Sequence, residues 1–183
     1  MAPADLVNRI STGFAELFTR DGELFDLGMD GVNEQTITFR LGFYLQGQFP
    51  DLHVDCEYNR YLDKTKGCEM SGVAWMKPDV IVHRRRSAEA NLFCLEAKKD
   101  YLWEDEKSGY ASMRPKLLAL TRDDGNYRYP FGLAWHIIPS RDPSHHHAIW
   151  FRSGAPFYES SLVGFEAGLL EKLVPTAPKG GTG

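Results

Sequence analysis

The spacing of apolar residues along the chain predicts helices in several segments. Apolar residues recur every three or four positions over 4–19, which indicates an amphipathic helix. The same spacing begins after Asn33, a favourable N-cap, and predicts a second helix that stops before Pro50. It recurs over 108–122, where Pro115 either kinks the helix or marks its true start.

Shorter apolar segments between these helices predict strands. Residues 51–61, "DLHVDCEYNRY", alternate apolar and polar side chains, the period-two pattern of a strand with one solvent-facing side. The runs "DVIVH" (79–83) and "NLFCLEA" (91–97) are expected to form adjacent interior strands, separated by "RRRSAEA". Two more strands are expected within 127–137 and 147–153, joined by the turn "PSRDPS".

These elements predict one α/β domain. With a last helix over about 159–173, their order is α, α, β, β, β, α, β, β, α. A chain of 183 residues is long enough for one hydrophobic core. We therefore expect a central mixed sheet flanked by helices over residues 1–174, and a flexible tail over 175–183 that is too small and polar to pack.

The cysteines and the hydropathy of the chain favour a cytoplasmic protein. Cys56, Cys68 and Cys94 are odd in number and widely spaced, and they lack the paired Cys/His spacing of structural zinc sites. The N-terminus has no basic start followed by an apolar run, and nowhere do eighteen apolar residues run together. We expect neither secretion nor a membrane partner.

The charge of the chain is unevenly distributed. The formal net charge of −4 argues against a protein that coats nucleic acid through bulk electrostatics. The segment from Lys77 to Arg122 nevertheless holds ten Lys/Arg against seven Asp/Glu. Basic groups therefore concentrate around the two central strands.

Three charged residues lie within or at the start of these apolar strands. Residues i and i+2 of a strand share one face, so Glu96 and Lys98 should project side by side, with Asp79 close to Glu96. Two buried carboxylates repel unless a cation lies between them, and Mg²⁺ prefers one or two carboxylates with water and phosphate oxygens. Lys98 is then suited to hold a phosphate oxygen or to orient and help deprotonate a water, as in phosphodiester hydrolysis.

The motif formed by these residues resembles the signature of the PD-(D/E)xK phosphodiesterase superfamily, which has the restriction-endonuclease-like fold. Pro78-Asp79 is followed after sixteen residues by Glu96-Ala97-Lys98. The resemblance spans roughly 34–138 and implies an α-β-β-β-α-β core, here with an extra helix at each terminus. No clear QxxxY pattern follows the motif, unlike in the RecB-like branch.

The resemblance also implies roles for individual residues. Asp79 and Glu96 would bind Mg²⁺ or Mn²⁺, with the Ala97 carbonyl as a third ligand, and Lys98 would be the catalytic lysine. The alternative is that Asp79 caps a strand while Glu96 and Lys98 form a surface pair at a strand end. Many members add a glutamate from the first core helix, which points to Glu34 as a further catalytic residue and ligand.

Two interpretations of Glu34 stay open. Its helical phase places it in the middle of the apolar face of the second helix, where a carboxylate is unfavourable unless it meets a cation. Alternatively, it follows the N-cap Asn33 as an acidic first-turn residue that favours the helix dipole.

Several basic residues are candidates for contact with nucleic acid. Arg84, Arg85 and Arg86 leave the Asp79 strand and are suited to gripping a phosphate backbone, although an exposed hairpin loop is the simpler interpretation. Lys99 directly follows the motif, and Lys116 lies on the next helix. Some branches of the superfamily place a basic residue on that helix.

Two other polar groups receive structural interpretations. His145, His146 and His147 are expected to form an exposed loop, since adjacent strand residues alternate faces and cannot easily share a metal. Glu57 and Arg60 are expected to form a surface ion pair.

The sequence thus supports two hypotheses. The first is a Mg²⁺- or Mn²⁺-dependent nuclease, with DNA as the expected substrate and Glu34, Asp79, Glu96 and Lys98 converging on one site. The second is a catalytically silent nuclease-fold module that binds nucleic acid or a partner protein. Either would need a homodimer or larger assembly to gain sequence specificity.

Overall fold

The computed structural model describes residues 1–26, 31–61, 64, 65, 76–87, 89–99 and 109–173. Within these ranges lie four α-helices: α1 (Pro3–Arg20), α2 (Glu34–Gln48), α3 (Gly109–Thr121) and α4 (Phe165–Leu173). The same ranges contain eight strands: β1 (His53–Cys56), β2 (Arg60–Tyr61), β3 (Lys64–Thr65), β4 (Val80–His83), β5 (Phe93–Lys99), β6 (Phe131–Ile137), β7 (His147–Arg152) and β8 (Ala155–Ser161). The expected tail over 175–183 and Cys68 lie outside the described residues.

Six of the strands form one mixed sheet, in the order β1-β4-β5-β6-β7-β8. β5 and β6 are parallel, and every other neighbouring pair in this sheet is antiparallel. A parallel pair needs a crossover connection, and α3 lies in the segment between β5 and β6. The predicted α/β class, with a mixed sheet flanked by helices, is confirmed.

The helices cover both faces of this sheet. Val80 and Leu95 lie in a core cluster with α1 and α2, whereas Ile81 and Cys94 lie in a second cluster with α3. This division follows from the alternation of side chains along each strand. Glu96 and Lys98 lie on the same face as Cys94, because they follow it at steps of two residues along β5. Ile81 is on this face too, because it lies opposite Cys94 in the strand register.

The predicted helices are present, with small changes at their ends. The Asn33 side chain accepts a hydrogen bond from the Thr36 N–H at 2.9 Å, so it caps α2 as expected. α3 begins at Gly109 and runs through Pro115, which is therefore not its start. The proline deprives the Ala111 carbonyl of its helical donor, and Ala111 is exposed to water. No helix in the described ranges is long and apolar enough to span a membrane.

The start of the last helix was wrongly placed by the spacing of apolar residues. Residues 155–161 form strand β8, and α4 begins only at Phe165. A two-residue turn joins β7 to β8, with Ser153 and Gly154 at φ values of 51° and 73°. Positive φ at both central residues is the geometry of a tight hairpin turn, so "SG" after "HAIWFR" was the signal for another strand.

Candidate active site

The strand register brings Asp79 and Glu96 together. Val80 pairs with Leu95, so the next position outward places Asp79 opposite Glu96. The Asp79 side chain is fixed by the Ala97 N–H, which donates to its Oδ2 at 2.7 Å. Directly opposed residues of antiparallel strands have Cβ atoms about 5 Å apart, so the two carboxyl groups are close neighbours.

Glu96 is a buried carboxylate, and only one of its two oxygens has a hydrogen-bond partner within the described residues. Its side chain is 1% exposed, and its Oε2 accepts a hydrogen bond from Lys116 Nζ at 2.7 Å. Its Oε1 is buried and has no hydrogen-bond partner among the described residues. Burial and then the negative charge of Asp79 raise the pKa of Glu96 to about 8, although Lys116 and Lys98 oppose the change.

Asp79 shares this environment. Burial raises the pKa of Asp79 to about 6, and the Ala97 N–H and the charges of Lys98 and Lys116 oppose that rise. The two facing carboxyl groups therefore both favour their protonated forms more than a solvated carboxylate would. A pair of this kind attracts a cation.

Lys98 and Glu34 form a charged pair beside the two carboxyl groups. Lys98 Nζ donates to Glu34 Oε1, and Glu34 Oε2 accepts from the Lys99 N–H at 3.3 Å. Burial lowers the pKa of Lys98, but the hydrogen bond and charge of Glu34, with the charges of Asp79 and Glu96, raise it overall. Lys98 is therefore a cation at neutral pH.

Both open interpretations of Glu34 describe part of what is observed. It follows the capping Asn33 as the acidic residue of the first turn of α2. It also meets the cation that its helical phase required, since α2 begins against the carboxyl end of β5, where Lys98 lies. Glu34 therefore reaches the site from a helix on the opposite face of the sheet.

Gly109 is a residue of this site that the sequence did not reveal. A Cβ added to it would lie 2.6 Å from the Cβ and 2.7 Å from the Cγ of Lys98. The start of α3 therefore packs directly on the lysine stem and limits where Nζ can lie. The only signal was a glycine at the start of a predicted helix, where many residues would be expected equally.

The structure separates the candidate nucleic-acid contacts into two groups. Lys116 joins the site through Glu96, and Lys99 Nζ donates to the Val32 carbonyl at 2.7 Å. Arg84 lies at the opposite end of β4, about 17 Å from Asp79 at the usual rise per strand residue. Its neighbours Arg85 and Arg86 lie in the same turn.

Arg85 instead forms an ion pair with Asp55, a residue that the alternating pattern of 51–61 had placed on the solvent-facing side of its strand. Asp55 in β1 is buried, and its carboxylate accepts from Arg85 Nε at 2.8 Å and bonds with His83 Nε2 at 2.8 Å. Burial raises the pKa of Asp55, but these hydrogen bonds outweigh it and hold the pKa well below its usual range. The prediction that Asp55 lies on a solvent-facing side of β1 is therefore wrong.

Two further expectations are corrected. Glu57 pairs with Lys77 rather than with Arg60. His146 is not in an exposed loop: it is 1% exposed, and its Nδ1 accepts from Trp135 Nε1 at 3.3 Å and from the Ile138 N–H at 3.4 Å. Because Nδ1 accepts both of these hydrogen bonds, it carries no proton, and the ring is in the neutral tautomer that is protonated on the other nitrogen. Burial lowers the pKa of His146 to about 4.

The donor set suits an ion that needs few protein ligands. Among the described residues, no three His, Cys, Asp or Glu side chains are grouped to hold a metal. Mg²⁺ is commonly bound through one or two carboxylates, with water and substrate phosphate completing its shell. The unpartnered Oε1 of Glu96 and the facing Asp79 fit that requirement, and the Ala97 carbonyl directly follows Glu96 in sequence.

Comparisons of the chain with protein-family models, with curated proteins and with solved structures gave no match.

Proposed function

We propose that this chain is a Mg²⁺- or Mn²⁺-dependent nuclease that hydrolyses phosphodiester bonds, with DNA as its substrate. The observation that carries the proposal is the buried Glu96, whose Oε1 has no hydrogen-bond partner within the described residues and which lies opposite Asp79. Such a pair is unfavourable without a cation between its members. A catalytic divalent ion supplies that cation.

The order of elements supports the same proposal. α2, β1, β4, β5, α3 and β6 follow one another in the order α-β-β-β-α-β, apart from the short β2 and β3. That is the order expected of a restriction-endonuclease-like core. Asp79 lies at the head of its second main strand, and Glu96 and Lys98 lie on the third, as the PD-(D/E)xK resemblance requires.

Each residue of the site has a separate task in this proposal. Asp79, Glu96 and the Ala97 carbonyl would hold the ion, which when bound supplies charge stabilisation at phosphorus and a more acidic water. Lys98, protonated at neutral pH, donates hydrogen bonds and is suited to hold a phosphate oxygen rather than to remove a proton. Glu34 fixes the position of the Lys98 Nζ.

A nuclease assay tests this proposal. Purified protein is incubated with single- and double-stranded DNA and RNA in Mg²⁺, in Mn²⁺ and in EDTA. We expect cleavage that requires a divalent ion and that falls by about 100-fold or more in Asp79→Asn, Glu96→Gln and Lys98→Met, the range for loss of a group that stabilises a transition state.

Asp124→Asn is the matched control, because this exposed carboxylate forms a local ion pair with Arg122. It should cleave like the unaltered protein. Activity that survives equally in Asp79→Asn and Lys98→Met, or that persists in EDTA, contradicts the proposal.

A specific observation also favours the silent module as a second candidate. The chain already supplies cations to the site, because Lys116 pairs with the buried Glu96 and Lys98 pairs with the half-buried Glu34. The charges of both lysines also favour the ionised form of Asp79, so the site is partly neutralised without a metal. Calorimetric titration with Mn²⁺ in the presence of DNA separates the two candidates, because the module binds no divalent ion at millimolar concentration, whereas the nuclease does.

A further inference from the structure

Lys116 reaches the candidate site from the flank of α3. The buried stripe of this helix includes Met113, Leu117 and Leu120. Successive residues of a helix rotate by about 100°, so Lys116 lies about 60° to one side of Met113, at the edge of that stripe. The Lys116 stem therefore runs along the apolar contact with the sheet, and its Nζ donates to Glu96 Oε2 at 2.7 Å.

The helix that carries Lys116 is held against the sheet near both of its ends. At its start, a Cβ added to Gly109 would lie 2.6 Å from the Cβ of Lys98. At its end, a Cβ added to Gly132 in β6 would lie 2.8 Å from Cγ2 of Thr121. Lys116 lies between these two close contacts, so α3 fixes the height of its backbone above the sheet.

Lys116 is the hydrogen-bond donor of Glu96 within the described residues. The strand neighbours of Glu96 are Asp79 on one side and Ala134 on the other. The Ala134 side chain has no polar atom, and an ionised Asp79 can only accept hydrogen bonds. The Oε1 atom of Glu96 is buried and unpartnered in the described part of the chain. Glu96 therefore has one oxygen held by a cation and one oxygen left for a ligand.

Asp79 is arranged in a similar way. Its Oδ2 accepts a hydrogen bond from the Ala97 N–H at 2.7 Å, so the chain also holds one oxygen of this carboxylate. Two such groups favour an ion that takes a single oxygen from each. Mg²⁺ fits this description, because it binds one or two carboxylates in a strict octahedron completed by water, and Mn²⁺ shares this preference for oxygen ligands. Ca²⁺ takes more oxygens and readily uses both oxygens of one carboxylate.

We infer that Lys116 makes this site selective for Mg²⁺ and Mn²⁺ over Ca²⁺, because it denies the second oxygen of Glu96 to the ion. An ion that used both oxygens would share Oε2 with the ammonium group, and two cations on one oxygen of a buried carboxylate repel strongly. An ion bound through Oε1 alone leaves the Lys116–Glu96 pair intact. Lys116 is thus a positioning residue that acts through Glu96. This inference rests on the metal site of the proposed function.

Competition between ions, measured without nucleic acid, tests the inference. The electron paramagnetic resonance signal of free Mn²⁺ gives the Kd of Mn²⁺, and its rise on addition of Mg²⁺ or Ca²⁺ gives the Kd of each competitor. Lys116→Met removes the ammonium group and keeps an unbranched stem with good helix propensity. We expect this variant to lower the Kd of Ca²⁺ about tenfold more than the Kd of Mg²⁺, as the loss of one hydrogen bond to a charged group implies.

The ratio of the two Kd values isolates this effect. The loss of one positive charge, and any change in how firmly the carboxyl pair holds a proton, act on both ions alike. Lys116→Arg keeps a cationic donor and should keep the ratio of the unaltered protein. Lys172→Met is the matched control, because it removes an exposed lysine in the last turn of α4 and should leave the Kd values of all three ions unchanged.

The inference is wrong if Lys116→Met changes the Kd values of Ca²⁺ and Mg²⁺ by the same factor, or if Lys172→Met shifts their ratio equally. Loss of Mn²⁺ binding in Glu96→Gln would then still support the proposed metal site. If no divalent ion binds, or if Glu96→Gln binds Mn²⁺ like the unaltered protein, the metal site itself is wrong and the inference fails with it. If the ratio shifts as expected but neither DNA nor RNA is cleaved, the selectivity stands and the proposed nuclease fails.

Discussion

Replacing Glu96 by glutamine should stabilise the fold while removing the proposed activity. The sign follows from the pKa of Glu96, which rises from an ordinary 4.5 to about 8 in the folded chain. Between these values the folded state binds a proton that the unfolded state has released, so stability falls as the pH rises. Glutamine has nearly the same shape and no charge, so it escapes this loss.

The size of the effect follows from the same two values. Each pH unit between them corresponds to about 1.4 kcal/mol. The advantage of Glu96→Gln should therefore be close to zero at pH 4, about 3 kcal/mol at pH 7 and about 5 kcal/mol above pH 8. Lys116 does not cancel the gain, because its side chain is 26% exposed and can turn its ammonium group to water.

Urea denaturation at pH 4, 7 and 8.5 in EDTA measures the free energy of unfolding of both proteins. Glu89→Gln, an exposed glutamate in the turn between β4 and β5, is the control and should show no pH-dependent gain. The reasoning is refuted if the difference between Glu96→Gln and the unaltered protein is the same at all three pH values.

Three further predictions follow from other contacts. The free energy of unfolding should fall by about 3 kcal/mol as the pH falls from 6.5 to 4, because the pKa of the buried His146 is about 4. When the free energy of unfolding from urea denaturation is plotted against pH, His146→Asn should flatten that part of the curve. Gly109→Ala should displace the Lys98 stem and lower nuclease activity at least tenfold, whereas Gly47→Ala, with open space around it, should keep activity and raise the melting temperature. Asp55→Ala should cost about 3 kcal/mol of stability in urea denaturation, because it leaves a buried network unpaired.

The spacing of apolar residues was enough to predict the elements that bury one whole face. α1, α2 and α3 each bury apolar residues at helical spacing, most clearly in α1, and β4 to β7 are buried runs. β8 is the last strand of the sheet and is largely half-buried or exposed. Its residues lack a consistent pattern, and only the turn at Ser153 and Gly154 marks it.

Side-chain parity predicted which groups of the site share a face, but not which atoms meet. Glu96 and Lys98 project to one side, as their i, i+2 spacing requires. The partners they take, Lys116 and Glu34, come from helices 20 and 64 residues away in sequence. The prediction that Asp55 faces solvent was wrong for the same reason. Its partners on β4 and in the following turn can be identified only once the strand register is known.

The energetics of the site argue for a role beyond stability. Replacing a buried ion pair by apolar residues of similar volume is often neutral or stabilising. Here the chain keeps Glu96 buried beside a second carboxyl group, and it surrounds both with Lys98 and Lys116 rather than with leucine or methionine. An arrangement that raises two carboxyl pKa values lowers stability at neutral pH, and its retention is expected where the carboxylates serve a ligand. A cation that binds between Asp79 and Glu96 would recover the lost stability, so Mn²⁺ should raise the melting temperature of the unaltered protein and leave that of Glu96→Gln unchanged; equal shifts in both would place the ion elsewhere.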